Sequence, residues 1–173
     1  MSTWTTREPG VFALPSGRLV RGRALSTSQQ ASSSQPESSS QPTSSDARAD
    51  FELILLGTHR QFEAQTAHAG ETGNGTAVEA RWVKWPDFRL PSDPADAAVA
   101  FAEAWARALS ERVGVACGGG MGRTGTALAC LAILDGVPPA EAVAFVREHY
   151  HPRAVETPWQ RRFVEHFTAE TAT

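Results

Sequence analysis

Residues 113–136 constrain the fold more than any other part of the chain. VGVAC (113–117) is a short apolar run that reads as a buried strand. It ends at Cys117, and four glycines follow within five residues, in GGGMG (118–122). RTGTALACLAILDG (123–136) is then apolar nearly all round, the pattern of a helix buried in a core and closed by Gly136. A buried strand running through a tight turn into a buried helix belongs in an α/β fold, a sheet covered by helices.

The flanking sequence agrees. GVFALPSGRLVRGRAL (10–25) reads as two short strands around a Pro-Ser-Gly turn. FELILLG (51–57) is an apolar run ending in glycine, a second buried strand, and EARWVKW (79–85) a further one. Residues 58–78 are polar and contain glycines, and read as loop. Residues 94–112 have helical spacing, with Ala98, Phe101, Ala102, Trp105 and Leu109 on one face, Ser92 or Asp93 as cap and Pro94 in the first turn. Residues 138–150 and 157–167 each open with proline and read as two last helices. Together these predict a central mixed sheet flanked by helices.

One segment does not fit a core. Residues 26–47, STSQQASSSQPESSSQPTSSDA, are almost all Ser, Gln, Pro, Thr and Ala, and a stretch with so little to bury is expected to be disordered. The organisation this predicts is N-terminal strands in 1–25, a disordered insertion in 26–48 and the main core in 49–173. About 150 of the 173 residues are left to fold, enough for one core and not for two.

The glycine-rich turn has a chemical reading. Glycines let successive backbone N–H groups face one point and form a nest for an anion. The helix N-terminus adds partial positive charge there. Arg123 brings a planar fork that takes two oxygens of a phosphate. Cys117 lies beneath this site, where an electropositive setting favours the reactive thiolate. The plainer reading, a small buried cysteine before a tight turn, accounts for neither the glycine density nor Arg123. Cys130, inside the apolar helix, reads as core, too far along for an easy disulfide with Cys117.

The segment resembles the signature loop of the cysteine-dependent protein tyrosine and dual-specificity phosphatases, whose pattern is His-Cys-x-x-Gly-x-Gly-Arg-Ser/Thr-Gly. Cys117, Gly120, Gly122, Arg123, Thr124 and Gly125 match it, while Ala116 stands where the family has His. That His resembles a supporting group that orients the loop and helps keep the thiolate. The resemblance implies a tyrosine-phosphatase-like fold with a strand–loop–helix active site. It implies Cys117 as nucleophile, the backbone of Gly118, Gly119, Gly120, Met121 and Gly122 with Arg123 as phosphate cradle, and Thr124 as hydrogen-bond donor to the sulfur. It covers roughly residues 79–167.

Expulsion of an alkoxide or phenoxide needs a general acid. Trp85-Pro86-Asp87, thirty residues before Cys117, resembles the family's Trp-Pro-Asp loop, which makes Asp87 the acid; as a bare tripeptide it is a turn after proline. Asp93 and Asp96 lie at a helix start, where capping explains them, with Asp93 the fallback acid. Glu156-Thr157-Pro158-Trp159-Gln160 resembles the family's water-holding Gln loop, with Glu156 at the first Gln position and Gln160 at the second. Both are candidates for positioning water, and a plain helix cap is an equal reading for Glu156 and Thr157. Arg153 reads as a surface residue before a guide for anions.

The expected reaction is hydrolysis of phosphate monoesters through a phosphocysteine: phosphotyrosine, with phosphoserine and phosphothreonine on proteins as further substrates, or a small phosphate ester. No cofactor and no metal are expected; His149 and His151 lack a partner at ligand spacing and read as surface residues. The alternatives are a pseudophosphatase that binds phosphorylated partners without turnover, suggested by Ala116, and a sulfurtransferase carrying a persulfide on Cys117. A net charge of −3 argues against a nucleic-acid partner, and Trp4, Trp82, Trp105 and Trp159 come with no basic stripe for stacking bases. No apolar run approaches membrane-span length, the N-terminus has no secretory core, and two cysteines make no disulfide framework, so a cytoplasmic setting is expected.

Overall fold

The computed structural model describes residues 3–25, 48–69 and 78–168. The Ser/Gln/Pro-rich stretch 26–47 lies outside the described residues. The described residues form strands β1 (Val11–Ala13), β2 (Leu19–Ala24) and β3 (Phe51–Leu56), helix α1 (His59–Ala69), strand β4 (Glu79–Lys84), helix α2 (Pro94–Arg107), strand β5 (Val113–Cys117), and helices α3 (Gly122–Leu134), α4 (Pro139–His149) and α5 (Pro158–His166).

The sheet order is β1-β2-β5-β3-β4. Only β1 with β2 is antiparallel, the hairpin expected from residues 10–25; β2, β5, β3 and β4 run parallel. Strand alternation sorts side chains onto two faces. Phe51, Leu53 and Leu55 of β3 and Val113, Val115 and Cys117 of β5 join the main core with α2 to α5. Ile54, Leu56 and Ala116 face the other way with Leu25, against Phe62 and Trp82. Ala116, at the family's His position, is therefore a fully buried member of this smaller apolar cluster. Gly114 on the same face leaves room for Glu52, whose carboxylate takes two hydrogen bonds from Arg23 across the central strand, at 2.6 and 2.8 Å.

Helix α1 corrects the expectation of loop over the first half of 58–78; residues 70–77 of that stretch lie outside the described residues. Its sequence has one large apolar residue, Phe62, and so no legible periodicity. Tertiary contacts hold it instead. Phe62 stacks on Trp82 with ring centroids 6.2 Å apart, and His59 meets the same indole edge-on at 5.2 Å. Thr58 and Gln61 exchange hydrogen bonds at its start, a reciprocal cap. A second correction concerns α2. It ends at Arg107, and the residues it buries are Ala97, Ala98, Ala100, Phe101 and Ala104. Leu109 lies beyond the C-cap, where helical phase no longer holds, and is 68% exposed. Asp93 caps α2 through the backbone N–H groups of Ala95 and Asp96.

Asp135, after α3, ties the hairpin turn to the helical layer. Its buried carboxylate accepts from Ser16 N and Oγ, both at 2.7 Å, from Trp105 Nε1 at 2.8 Å and from Arg18 Nη1 at 3.3 Å. Arg18 also lies over the Trp105 ring at 4.4 Å. Removing one carboxylate leaves several donors without their acceptor, so Asp135→Ala is expected to lower unfolding free energy by about 3 kcal/mol, read from denaturant titration. Among the described residues no helix is long and apolar enough to cross a membrane.

Candidate active site

The parallel strands end on one level. Leu55 pairs with Cys117 across β3 and β5, and Leu56 with Lys84 across β3 and β4. The loops leaving β4 and β5 therefore rise side by side at the carboxyl end of the sheet, where α/β folds carry their sites. The first holds Trp85-Pro86-Asp87 and the second the glycine-rich turn.

Cys117 is buried at the end of β5, and its Sγ accepts a hydrogen bond from Gly120 N at 3.1 Å. Gly120 has φ +70°, and a Cβ there would lie 2.7 Å from Ala24 N, so the turn needs glycine for both reasons. Gly118 and Gly119 are exposed, and α3 starts at Gly122.

Arg123 is 5% exposed, with its guanidinium against the turn: a Cβ on Gly118 would lie 3.3 Å from Nη2. Nη1 donates to Trp85 O at 3.1 Å, and Nη2 pairs with Asp87 Oδ1 at 3.0 Å. Thiol, guanidinium and carboxylate thus stand together from positions 117, 123 and 87. Two buried polar atoms here have no hydrogen-bond partner, Arg123 Nε and Thr124 Oγ1. The expected bond from Thr124 to the cysteine sulfur is therefore not formed; the hydroxyl stays buried and unpaired in the first turn of α3.

The acidic loop is braced from several sides. Trp85 is fully buried, its Nε1 donating to Arg89 O at 2.7 Å. Phe88 has φ +56°, a costly conformation for a bulky residue, and Trp159 Nε1 donates to its carbonyl at 2.6 Å. Both aromatics stay at the surface beside Asp87, Phe88 57% and Trp159 49% exposed. Trp159 thus packs on the loop, while Trp4 is core and donates to Val113 O.

Glu156 and Gln160 reach the site differently. A Cβ on Gly122 would collide with the Glu156 carboxylate, which lies over the start of α3. Gln160 is 1% exposed; its Oε1 accepts from Glu156 N and Thr157 N, and Thr157 Oγ1 caps the Gln160 N–H. Its amide oxygen is spent on this capping box, and its Nε2 reaches Arg89 O at 3.5 Å. Arg153 is exposed, as are His149 and, in part, His151.

Two supporting residues escaped the sequence reading. Arg147 donates to Ala154 O and Val155 O, both at 2.9 Å, and holds Val155 at φ +65°. That segment packs on the site, for Val155 N donates to Met121 O at 3.3 Å. Tyr150, just past α4, donates to Gly120 O at 2.5 Å. Burial, and then the charge at Cys117, push its phenol up to about 12, so the hydroxyl remains a donor. The Arg147 and Tyr150 contacts depend on side chains meeting loops elsewhere in the chain, and no local pattern announces them. Cys130 is fully buried in α3, where burial pushes its thiol well up and away from reactivity.

Residues 90–171 match the family model described as PTP-SAK, Swiss Army Knife protein, DSP-PTPase phosphatase domain. This stretch is therefore similar to the dual-specificity and tyrosine phosphatase domains. The match takes in the glycine-rich turn and begins three residues after Asp87. The phosphatase fold extends further. The chain is similar to the crystal structure titled Tk-PTP in the active form, at 23% identity over 71% of this chain and 79% of that one, with TM-score 0.50. It is also similar to kinase associated phosphatase with its catalytic cysteine substituted by serine, at 18% identity, 72% of each chain and TM-score 0.54. No curated protein sequence matches the chain.

Proposed function

We propose that this chain is a cysteine-dependent phosphatase that hydrolyses phosphate monoesters, phosphotyrosine on proteins first among them, through a phosphocysteine. One observation carries the reading: the buried Arg123 guanidinium bridges the thiol's turn and Asp87 at 3.0 Å while its Nε has no partner. A buried guanidinium with one N–H still free of a partner, at a helix N-terminus, is suited to an oxyanion.

In the proposed cycle the Cys117 thiolate attacks phosphorus in line, the S–P bond forms and the ester P–O bond breaks. Asp87 gives its proton to the departing oxygen. Backbone N–H groups from Gly118 to Arg123, with the guanidinium, hold the three equatorial oxygens. A water then attacks the phosphocysteine, Asp87 takes its proton, and the S–P bond breaks to release phosphate and restore the thiolate. The Glu156 carboxylate at the mouth, against Gly122, makes it the better candidate of the two for orienting that water, because the Gln160 oxygen already serves the backbone. The exposed rings of Phe88 and Trp159 beside Asp87 favour an aryl ester.

The test is hydrolysis of p-nitrophenyl phosphate with EDTA present. The guanidinium and the backbone nest supply the positive charge, so turnover is expected to be unchanged by the chelator. Loss of turnover on chelation would count against this mechanism. A wild type that binds phosphate without hydrolysing the ester would favour the phosphate-reading alternative.

A further inference from the structure

The proposed phosphate cradle is held from outside by a residue that no motif of the family marks. Gly120 sits at its centre, with N–H donated to Cys117 Sγ and C=O facing the Tyr150 hydroxyl. That carbonyl belongs to the peptide whose other end is the Met121 N–H. If the peptide turned over, a carbonyl oxygen would point toward the thiol and the anion, and one donor would be lost from the nest. Gly120, on one side of that peptide, has no side chain to oppose such a rotation, so a contact from outside the turn is needed to fix it.

We propose that Tyr150 is a positioning residue for the cradle, its hydroxyl holding the Gly120 carbonyl outward so that the loop's N–H groups stay aimed at the oxyanion. The ring is placed for this by two features distant in sequence. A Cβ on Gly22 of β2 would lie 2.5 Å from the ring, so the strand accommodates the phenol only as glycine. Phe12 of β1 packs on the same ring with centroids 6.1 Å apart. The bond gives the turn an outside anchor in a chain where Ala116 belongs to the apolar cluster on the far face of the sheet. Of the charged groups at the site, Arg123 on α3 pairs with Asp87 on the neighbouring loop, and the Glu156 carboxylate before α5 lies against Gly122.

The inference rests on the phosphatase reading for its purpose, and its test does not need turnover. Tyr150→Phe keeps the ring and removes the hydroxyl alone. Cys117 is alkylated with iodoacetate, an anion the cradle draws in, and with neutral iodoacetamide, and the ratio of the two rates reads the cradle. The ratio is expected to fall about tenfold in the variant, and competition by inorganic phosphate to weaken by about the same factor, as for loss of one hydrogen bond. Cys130, buried in the core, reacts only on unfolding and reports any misfolded fraction in the same mass spectrum. His149→Ala, at an exposed residue stacked on Phe145, should leave the ratio where the wild type has it. An unchanged ratio and unchanged phosphate competition in folded Tyr150→Phe would overturn the proposal. Wild-type protein that prefers iodoacetate yet hydrolyses no ester would instead overturn the phosphatase reading and leave the cradle standing.

Discussion

Cys117→Ser is expected to abolish hydrolysis of p-nitrophenyl phosphate, a loss of at least about 10⁴-fold, the scale set by removing an enzyme's nucleophile. A serine hydroxyl is a far weaker acid and a poorer nucleophile than a thiol. The rest of the site is expected to survive. The Gly120 N–H that now meets Sγ at 3.1 Å can meet Oγ, and Arg123 keeps its bond to Trp85 O. Inorganic phosphate should therefore bind the variant within about tenfold of wild type, since one hydrogen bond at most is weakened. Turnover retained by Cys117→Ser would place the nucleophile elsewhere. Cys130 could not replace it, being wholly enclosed in α3.

The strand-to-helix segment was legible because backbone demands write themselves into sequence. Four glycines in five residues have few uses other than a tight turn, and a helix apolar all round must be buried; every residue of α3 from Gly122 to Ile133 is. The proline-led helices α4 and α5 and the hairpin of β1 and β2 were legible for similar local reasons. Helix α1 was not, because its one large apolar residue finds Trp82 only across the fold. Leu109 matched the helical phase of α2 but falls after the point where the chain leaves the helix.

The site divides in the same way. Cys117, Arg123 and Asp87 are separated in sequence, and only the resemblance of their two motifs to one family implied that they meet; the structure brings Arg123 and Asp87 to 3.0 Å. The conduct of their neighbours was not written locally. Thr124 carries the expected residue type and makes no bond to the sulfur. Gln160 reads as water-holding by resemblance, but Thr157-x-x-Gln160 is also a capping-box pattern, and that use claims its oxygen. Tyr150 and Arg147 brace the turn and the adjoining strained Val155 through contacts that exist only once β2, α3 and α4 are packed.

Asp87→Ala is expected to cut kcat by about 10²- to 10⁴-fold on phenyl phosphate, the range for losing a general acid. The loss on p-nitrophenyl phosphate should be smaller, because nitrophenolate departs more readily without a proton. KM should not rise. Asp87 is the carboxylate paired with Arg123 at 3.0 Å, and its removal frees the guanidinium and takes a negative charge from the mouth that receives a phosphate dianion. Asp93→Asn offers the comparison. Asp93 Oδ1 is engaged by Ala95 N and Asp96 N at 3.0 and 3.1 Å, so its replacement should affect α2 and leave kcat on phenyl phosphate intact. An Asp87 variant with full kcat on phenyl phosphate, beside an Asp93 variant that loses it, would move the acid from one loop residue to the other. A loss equal on both esters, with a raised KM, would mean that Asp87 only orients Arg123.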